Sequence, residues 1–578
     1  MNGVVLDSGK SSVLRGHARF LGLKTLLAAS LIIAIASILL LSFVPPVSKD
    51  ALIHHLAVPN LYLRHGAMLE LPSMEFSYFP MNLELLYLIP LYLGNDIAPK
   101  LIHFGFALLT AWLIFNYLRR RLSTTYGLLG AICFLSIPII IKLSITVYVD
   151  LGLIFFTTGS LFLILRWIES DFSGRFLILS AISCGLAMGT KYNGLITFLI
   201  LALLVPFFYS RYARGKGHGF VASITQGVIF FVIALLVFSP WMARNYYWKG
   251  NPIYPLFNTW FNPRTAAPTD IDASGGDKES DSGVLTFRRI VYKESGWQIA
   301  LLPVRVFYQG KDGAPQYFDG RLNPFLLILP FFAFYRAREE SRGVGREKWI
   351  MLIFAALFFW IAIFSTVLRV RYISPIIPPL VILSVFGIRN MINSIRRFHV
   401  LVCRQVGLTM VGLIVIFFLT LNALYVVDQF RYVDPFSYLS GRASRAEYIS
   451  KYRFEHPAMQ YINDNLPHNA LIMSAFLGKR GYYCERDYIL DQQTILSGLI
   501  NGSQAPQEIW IGLKEMGVTH LIIQSAFFGQ WAANSLTPRE RSLLQRFFDD
   551  HAIRLYQKNG VEVFSLKSRE SPGVISSK

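Results

Sequence analysis

Long apolar runs limit what this chain can fold into. Runs of spanning length fall near residues 24–44, 97–118, 123–141, 150–168, 220–240, 349–367, 373–392 and 404–425, with a shorter one at 322–335. A hydrocarbon core of about 30 Å takes about 20 apolar residues in a helix, so each long run is a candidate transmembrane segment. The stretch 176–209 would be about 51 Å long as one helix, too long for a single crossing. Its centre reads Gly189-Thr190-Lys191-Tyr192-Asn193-Gly194, a polar break, and two short spans meeting there fit better. The pattern predicts a polytopic α-helical membrane protein with about eleven helices. Composition agrees, with 53% hydrophobic and 16% charged residues, where a soluble domain carries about a quarter charged.

A net charge of +20 would point to nucleic acid in a soluble chain. Here the basic residues sit in short loops between apolar runs, where they orient helices in a lipid bilayer, and no nucleic-acid partner is expected. With the N-terminus inside, the inner loops hold Arg119-Arg120-Arg121, then Arg166 and Arg175, then Arg211, Arg214 and Lys216. Arg336, Arg338, Arg342, Arg346 and Lys348 follow, and then Arg389, Arg396, Arg397 and Arg404. The outer side receives 45–96, 142–149, 241–321 and everything after about 426. The first run follows Lys10, Arg15, Arg19 and Lys24, lacks a small-x-small cleavage site and ends in Pro45-Pro46, so it reads as an uncleaved helix. Of the four cysteines only Cys484 lies fully outside, so no outer disulfide is expected. These features fit a bacterial inner membrane protein with a cytoplasmic N-terminus and an extracytoplasmic C-terminal domain.

The domain plan is a cytoplasmic segment 1–23, a transmembrane domain 24–430 with outer loops 45–96 and 241–321, and a soluble α/β domain 440–578. In the first loop, Ala51–Leu63 and Leu83–Leu93 carry apolar residues at helical spacing, as surface-lying amphipathic helices do. Thr269–Gly283 is acidic and polar, a loop without the spacing of an EF-hand. From Ser444 on, helices at 458–465 and 539–550 and strands at 471–475, 519–524 and 560–566 are predicted. That domain has no Gly-rich phosphate loop and no nucleophile elbow, so it is assigned no chemistry.

The suggestive polar residues fall at the predicted outer ends of spans. Asp50 follows the first run, with His54 and His55 one turn on, and Asp150 opens the fourth. An acid at the hydrocarbon edge is costly and marks a functional candidate, though it can also be an interfacial acid complementing a helix dipole. Lys191 sits at the polar break, Arg244 follows the seventh span, and Arg369 and Arg371 follow the ninth. Outer arginines run against the orientation bias, and binding an anionic phosphate would explain them. The plainer reading is snorkelling to lipid headgroups. His54 and His55 read either as amphipathic helix surface or as metal ligands.

The acid after the first helix, Val149-Asp150, Gly185-Leu186-Ala187-Met188-Gly189-Thr190-Lys191-Tyr192, Arg244-Asn245, Gly250-Asn251-Pro252 and Arg371-Tyr372-Ile373-Ser374-Pro375 occur in one order. Together they resemble the GT-C glycosyltransferases, specifically bacterial relatives of protein mannosyltransferases and aminoarabinose transferases, over roughly residues 25–390. The resemblance implies inverting transfer of a sugar from a polyprenyl-phosphate donor to a lipid, glycan or protein acceptor on the outer face. It implies Asp50 as general base, and Asp150 as a residue that orients the acceptor or holds a cation. Lys191, Arg244, Arg371 and Tyr372 would bind the donor phosphate, and His54, His55, Glu84, Asn193 and Asn245 are candidate substrate-binding residues. Many members carry an acidic pair where this chain has Lys49-Asp50, which weakens the case for a divalent metal ion, the one candidate cofactor. Where aminoarabinose transferases have an acid–lysine pair this chain reads Tyr78-Phe79-Pro80-Met81-Asn82, so that substrate is not assigned, and Glu84 and Glu75 are only candidate substitutes. Rival readings are a transporter or flippase of lipid-linked saccharides, a polymerase or ligase using the same carriers, and a sensor domain on a membrane anchor. A transporter would be expected to show repeated halves with paired discontinuous helices, and only 176–209 is interrupted.

Overall fold

The computed structural model describes residues 8–213, 219–263, 284–335, 341–365, 367–491 and 494–567. The loop expected at Thr269–Gly283 and the basic residues Arg214, Lys216, Arg336 and Arg338 lie outside these residues. The chain forms two compact units: Met1–Phe43, Tyr78–Ile89 and Ile97–Pro435 make the first, and Val44–Ser77, Pro90–Asp96 and Phe436–Lys578 the second.

The first unit is a helical bundle and an integral membrane domain. Among the described residues eight helices are long and apolar enough to cross a bilayer: Gly22–Ser42, Ala98–Arg121, Asp150–Glu169, Gly194–Tyr212, Phe220–Lys249, Arg342–Phe364, Val370–Arg396 and Leu401–Val433. Gly174–Thr190 is a shorter apolar helix. The expected span at 123–141 is instead two helices, Thr124–Ser136 and Pro138–Ser144, bent by 68°. The residue before a proline is driven out of the α region. Ile137 accordingly has ψ 131°, and the Ile139 N–H just past the break bonds the Arg321 carbonyl at 3.0 Å. The run at 322–335 contributes the helix Phe325–Phe332, about 12 Å long and too short to cross by itself. The expected break at 176–209 is present: one helix stops at Thr190, the next starts at Gly194, and Lys191 between them is extended.

Residues 377–388 of helix Ile377–Arg396 are all buried, making it the centre of the bundle, whereas Gly22–Ser42, Phe220–Lys249 and Leu401–Val433 present apolar side chains outward. Buried helix contacts rely on small residues, as expected where lipid removes the hydrophobic drive between helices. A Cβ on Gly185 would stand 2.6 Å from the Ala234 carbonyl oxygen and Val237 Cβ, and one on Gly387 would stand 2.2 Å from the Leu329 oxygen. At one end of helix Asp150–Glu169, Arg121 pairs with Glu169 at 2.8 Å and Glu347 at 2.5 Å, while Asp150 occupies the other end. Arg119–Arg121 and Asp150 thus belong to opposite sides of the bundle.

The second unit contains a five-stranded sheet of β1 (Leu471–Ala475), β2 (Asp487–Asp491), β3 (His520–Gln524), β4 (Ala552–Lys558) and β5 (Val561–Leu566), in the order β2-β1-β3-β5-β4. The β1 strand runs parallel to both β2 and β3, and β5 runs antiparallel to β3 and β4. Strand alternation feeds a core on each face. Met473, Leu521 and Ile523 pack with Leu513, Leu543 and Phe547, and Ile472, Ile522 and Val563 pack with Ala458, Met459 and Ile462. Strands β1, β3 and β5 match the sequence reading. The mixed, mostly exposed pattern of β4 gave no comparable signal.

The glycine contacts set a test. Gly185→Leu and Gly387→Leu should each destabilise the bundle by about 1–3 kcal/mol through overpacking. Gly412→Leu, with nothing within 4 Å, should not. Melting temperatures of the detergent-solubilised variants read the difference.

Candidate active site

The site of the first unit is built on the helix break. Helix Gly174–Thr190 stops because Lys191 turns extended, its N–H closing on the Ala187 carbonyl at 3.1 Å and the Thr190 hydroxyl on that of Leu186 at 2.8 Å. Gly194 lets the next helix start against this turn, since a Cβ there would lie 2.5 Å from the Ala187 oxygen. The break delivers Lys191 Nζ to Asp150 Oδ1 at 2.6 Å, with the Asp150 side chain fully buried and Lys191 16% exposed. Lys191 also lies over the Tyr372 ring, 4.9 Å from its centre. Arg371, in the 3-10 turn Val370–Ile376, stacks on Tyr148 at 5.2 Å and Tyr372 at 5.1 Å. The Tyr372 carbonyl accepts from Asn193 Nδ2 at 3.5 Å. Four of the expected residues, Asp150, Lys191, Arg371 and Tyr372, therefore form one cluster, with Asn193 bracing it.

Arg244 takes a different part. Its guanidinium donates to the carbonyls of Tyr78 at 2.6 Å and Phe79 at 2.9 Å and to Asn245 Oδ1, and lies between Trp241 and Trp248. Asn245, fully buried, donates to the Tyr78 carbonyl and the Tyr192 hydroxyl, which in turn donates to the Tyr254 carbonyl. Beside the ligand-binding part read from sequence, both residues hold backbone turns in place. Trp241 Nε1 donates to Asn82 Oδ1 at 2.8 Å, and Asn82 Nδ2 to the Leu186 carbonyl, which ties Tyr78–Asn82 to the helix carrying Lys191.

Glu84 lies on helix Asn82–Tyr92 and is 3% exposed. Burial, opposed by its own backbone N–H and by the charges of Lys191 and Arg244, pushes its carboxyl up to about 8. The site thus holds a neutral acid beside an ion pair. Two further residues gave no motif signal. His103 is fully buried on helix Ala98–Arg121; its Nε2 accepts the Leu151 N–H at 3.0 Å, and its Nδ1 faces the Leu143 and Thr146 carbonyls at 3.0 Å. This network assigns the Nδ1–H tautomer and ties down the loop that presents Asp150. Tyr87 donates to the Tyr148 carbonyl at 2.5 Å from the other side.

Asp50, His54 and His55 belong to the second unit. Asp50 directly precedes a π-helical turn, Ala51–His55, closed by the Leu56 N–H on the Ala51 carbonyl at 2.9 Å. Such wide turns are rare and concentrate at functional sites. His54 stacks on Phe76 at 4.5 Å, and its ring lies tilted against that of the buried His55 at 3.9 Å. Glu75 faces Lys479 at 3.6 Å. Among the described residues no group of three or more His, Cys, Asp or Glu could hold a metal ion. At Asp150 an ammonium already takes the place a cation would occupy, so this donor set does not fit a metal.

The raised Glu84 pKa makes stability depend on pH. Unfolded, this acid ionises near 4.5; folded, it keeps its proton to about 8, so the folded state binds more protons between those values. Stability contributed by the neutral form is lost as pH rises across that window. The melting temperature of the detergent-solubilised protein should fall as pH rises from about 4.5 to about 8, and the fall should be shallower in Glu84→Gln, which stays neutral throughout.

Residues 94–243 match the dolichyl-phosphate-mannose-protein mannosyltransferase family. None of the curated proteins matches the sequence. In structure, the chain superposes on ArnT from Cupriavidus metallidurans in its apo state with a TM-score of 0.54 and 13% identity, covering 95% of this chain and 98% of that one. The same enzyme bound to undecaprenyl phosphate gives a TM-score of 0.51 and 14% identity, with 94% and 97% covered. In fold over nearly its whole length, and in sequence over residues 94–243, this chain is similar to the membrane glycosyltransferases of GT-C type.

Proposed function

We propose that this protein transfers a sugar from a polyprenyl-phosphate donor to a lipid, glycan or protein acceptor on the outer face of the membrane, with inversion at the anomeric carbon. The observation that carries this reading is the cation cluster of Lys191 and Arg371 against Asp150 and Tyr372 at a helix break. It occurs in a chain with the fold of an enzyme solved with undecaprenyl phosphate bound.

In this mechanism Asp50 takes the proton from an acceptor hydroxyl or amine as that atom attacks the anomeric carbon. The bond from that carbon to the phosphate oxygen breaks on the opposite face, and the electron pair leaves with the carrier phosphate. Lys191 and Arg371 stabilise the charge gained by that phosphate. An ammonium has three donors, so its bond to Asp150 leaves capacity for phosphate oxygens. Asp150 holds the lysine in place, Tyr372 supports both cations through its ring, and Arg244 and Asn245 shape the surrounding turns. Transfer from a lipid carrier needs no nucleotide site.

The test is reconstitution into liposomes with a panel of undecaprenyl-phosphate hexoses and pentoses and an envelope lipid extract as acceptor. Asp50→Ala should lower kcat by about 10²–10⁴-fold while donor binding persists, and Lys191→Met should weaken donor binding as well as turnover. Equal transfer by wild type and Asp50→Ala would remove the mechanism. Movement of the lipid-linked sugar across the bilayer with no new glycosidic bond would favour a flippase instead.

A further inference from the structure

The segment carrying Asp50 packs with the C-terminal sheet domain in one compact unit. Its backbone is held on both sides of Asp50 by residues from more than 400 positions later in the chain. The Tyr483 hydroxyl donates to the Pro46 carbonyl at 2.7 Å, a separation of 437 residues. The Arg453 guanidinium donates to the Val47 carbonyl, 406 residues away. Two residues past Asp50, the Leu52 carbonyl inside the π-helical turn accepts the Tyr482 N–H at 3.3 Å.

These donors are themselves fixed. The Tyr483 carbonyl accepts from Asn463 Nδ2 at 3.0 Å, and Asn463 Oδ1 accepts the Glu485 N–H at 2.8 Å. Arg486, 3% exposed, caps the carbonyls of Asn463, Leu466 and Pro467. Arg480 pairs with the buried Glu455 at 2.5 Å. The loop between β1 and β2 is thereby welded to helix His456–Asn465 and presents Tyr482 and Tyr483 as a rigid edge.

We propose that Tyr483 and Arg453 are positioning residues for Asp50, and that the C-terminal domain serves the reaction by fixing the backbone on either side of that carboxylate. This rests on Asp50 being the base. The chemistry is that of preorganisation: a base displaced by about 1 Å can lose about 10²-fold in rate although it remains present. Three bonds within seven residues, from Pro46 to Leu52, leave the intervening chain little freedom.

The experiment uses the full-length protein in detergent. In Tyr483→Phe, which keeps the ring and loses the donor, and in Arg453→Met, amide exchange over 48–56 should quicken about tenfold, with β1 and β3 unchanged. With the same undecaprenyl-phosphate sugars, kcat per folded enzyme should fall about ten- to a hundredfold, and the donor KM should move by less than about twofold. In an Asp50→Asn background, Tyr483→Phe should lower the residual rate no further, because its effect passes through Asp50. Unchanged exchange in both variants overturns the inference, as does lower melting temperature with unaltered kcat per folded molecule. If Asp50→Asn alone transfers sugar at the wild-type rate, the base reading fails, a result distinct from either of these.

Discussion

The ion pair of Lys191 and Asp150 organises the first unit. A fully buried carboxylate needs a cation, and removing one partner of such a pair costs about 3–5 kcal/mol because the other is left uncompensated. Meeting that demand fixes where helix Gly174–Thr190 must stop, which face of Asp150–Glu169 turns inward, and how the turn carrying Arg371 and Tyr372 closes over them. An ion pair within a bundle of apolar helices is poor value as stability alone. It agrees with the donor-phosphate role proposed for Lys191, in which the charge is held ready for an anion.

Much of this arrangement is written locally. The polar break at 189–194 is visible because Gly, Thr, Lys and Asn interrupt a run too long for one crossing. Asp150, Lys191 and Arg371 stand out for a related reason, being charges where lipid would not tolerate them without cause. The kink at Ile137 follows from Pro138, but the continuous hydropathy of 123–141 masks it in the sequence. What could not be read is whom each polar group meets. Arg244 looks like a phosphate ligand by type and position, and its bonds to the carbonyls of Tyr78 and Phe79 could not be foreseen, because a carbonyl has no signature in a sequence. His103 and Tyr87 were missed for the same reason, since each acts on the backbone of a loop elsewhere.

Hydrogen bonds to main-chain atoms recur throughout. Directed donors add to the apolar packing of the connecting segments: Arg244 and Asn245 at 78–79, His103 at 143–151, Arg453 and Tyr483 at 46–47. Arginine and the amides suit this task because one side chain can satisfy several carbonyls at once.

The chain passes between its two units at Phe43/Val44, Ser77/Tyr78, Ile89/Pro90, Asp96/Ile97 and Pro435/Phe436. The sheet domain is consequently not an appendage that could be trimmed away or grafted elsewhere. A fragment starting at Phe436 would lose the strand of chain that seals Tyr483 and Arg453, and a fragment ending there would leave Ala51, Leu52 and Leu56, now wholly covered, open to solvent. Lengthening or shortening this domain would therefore also act on an early stretch of the same polypeptide.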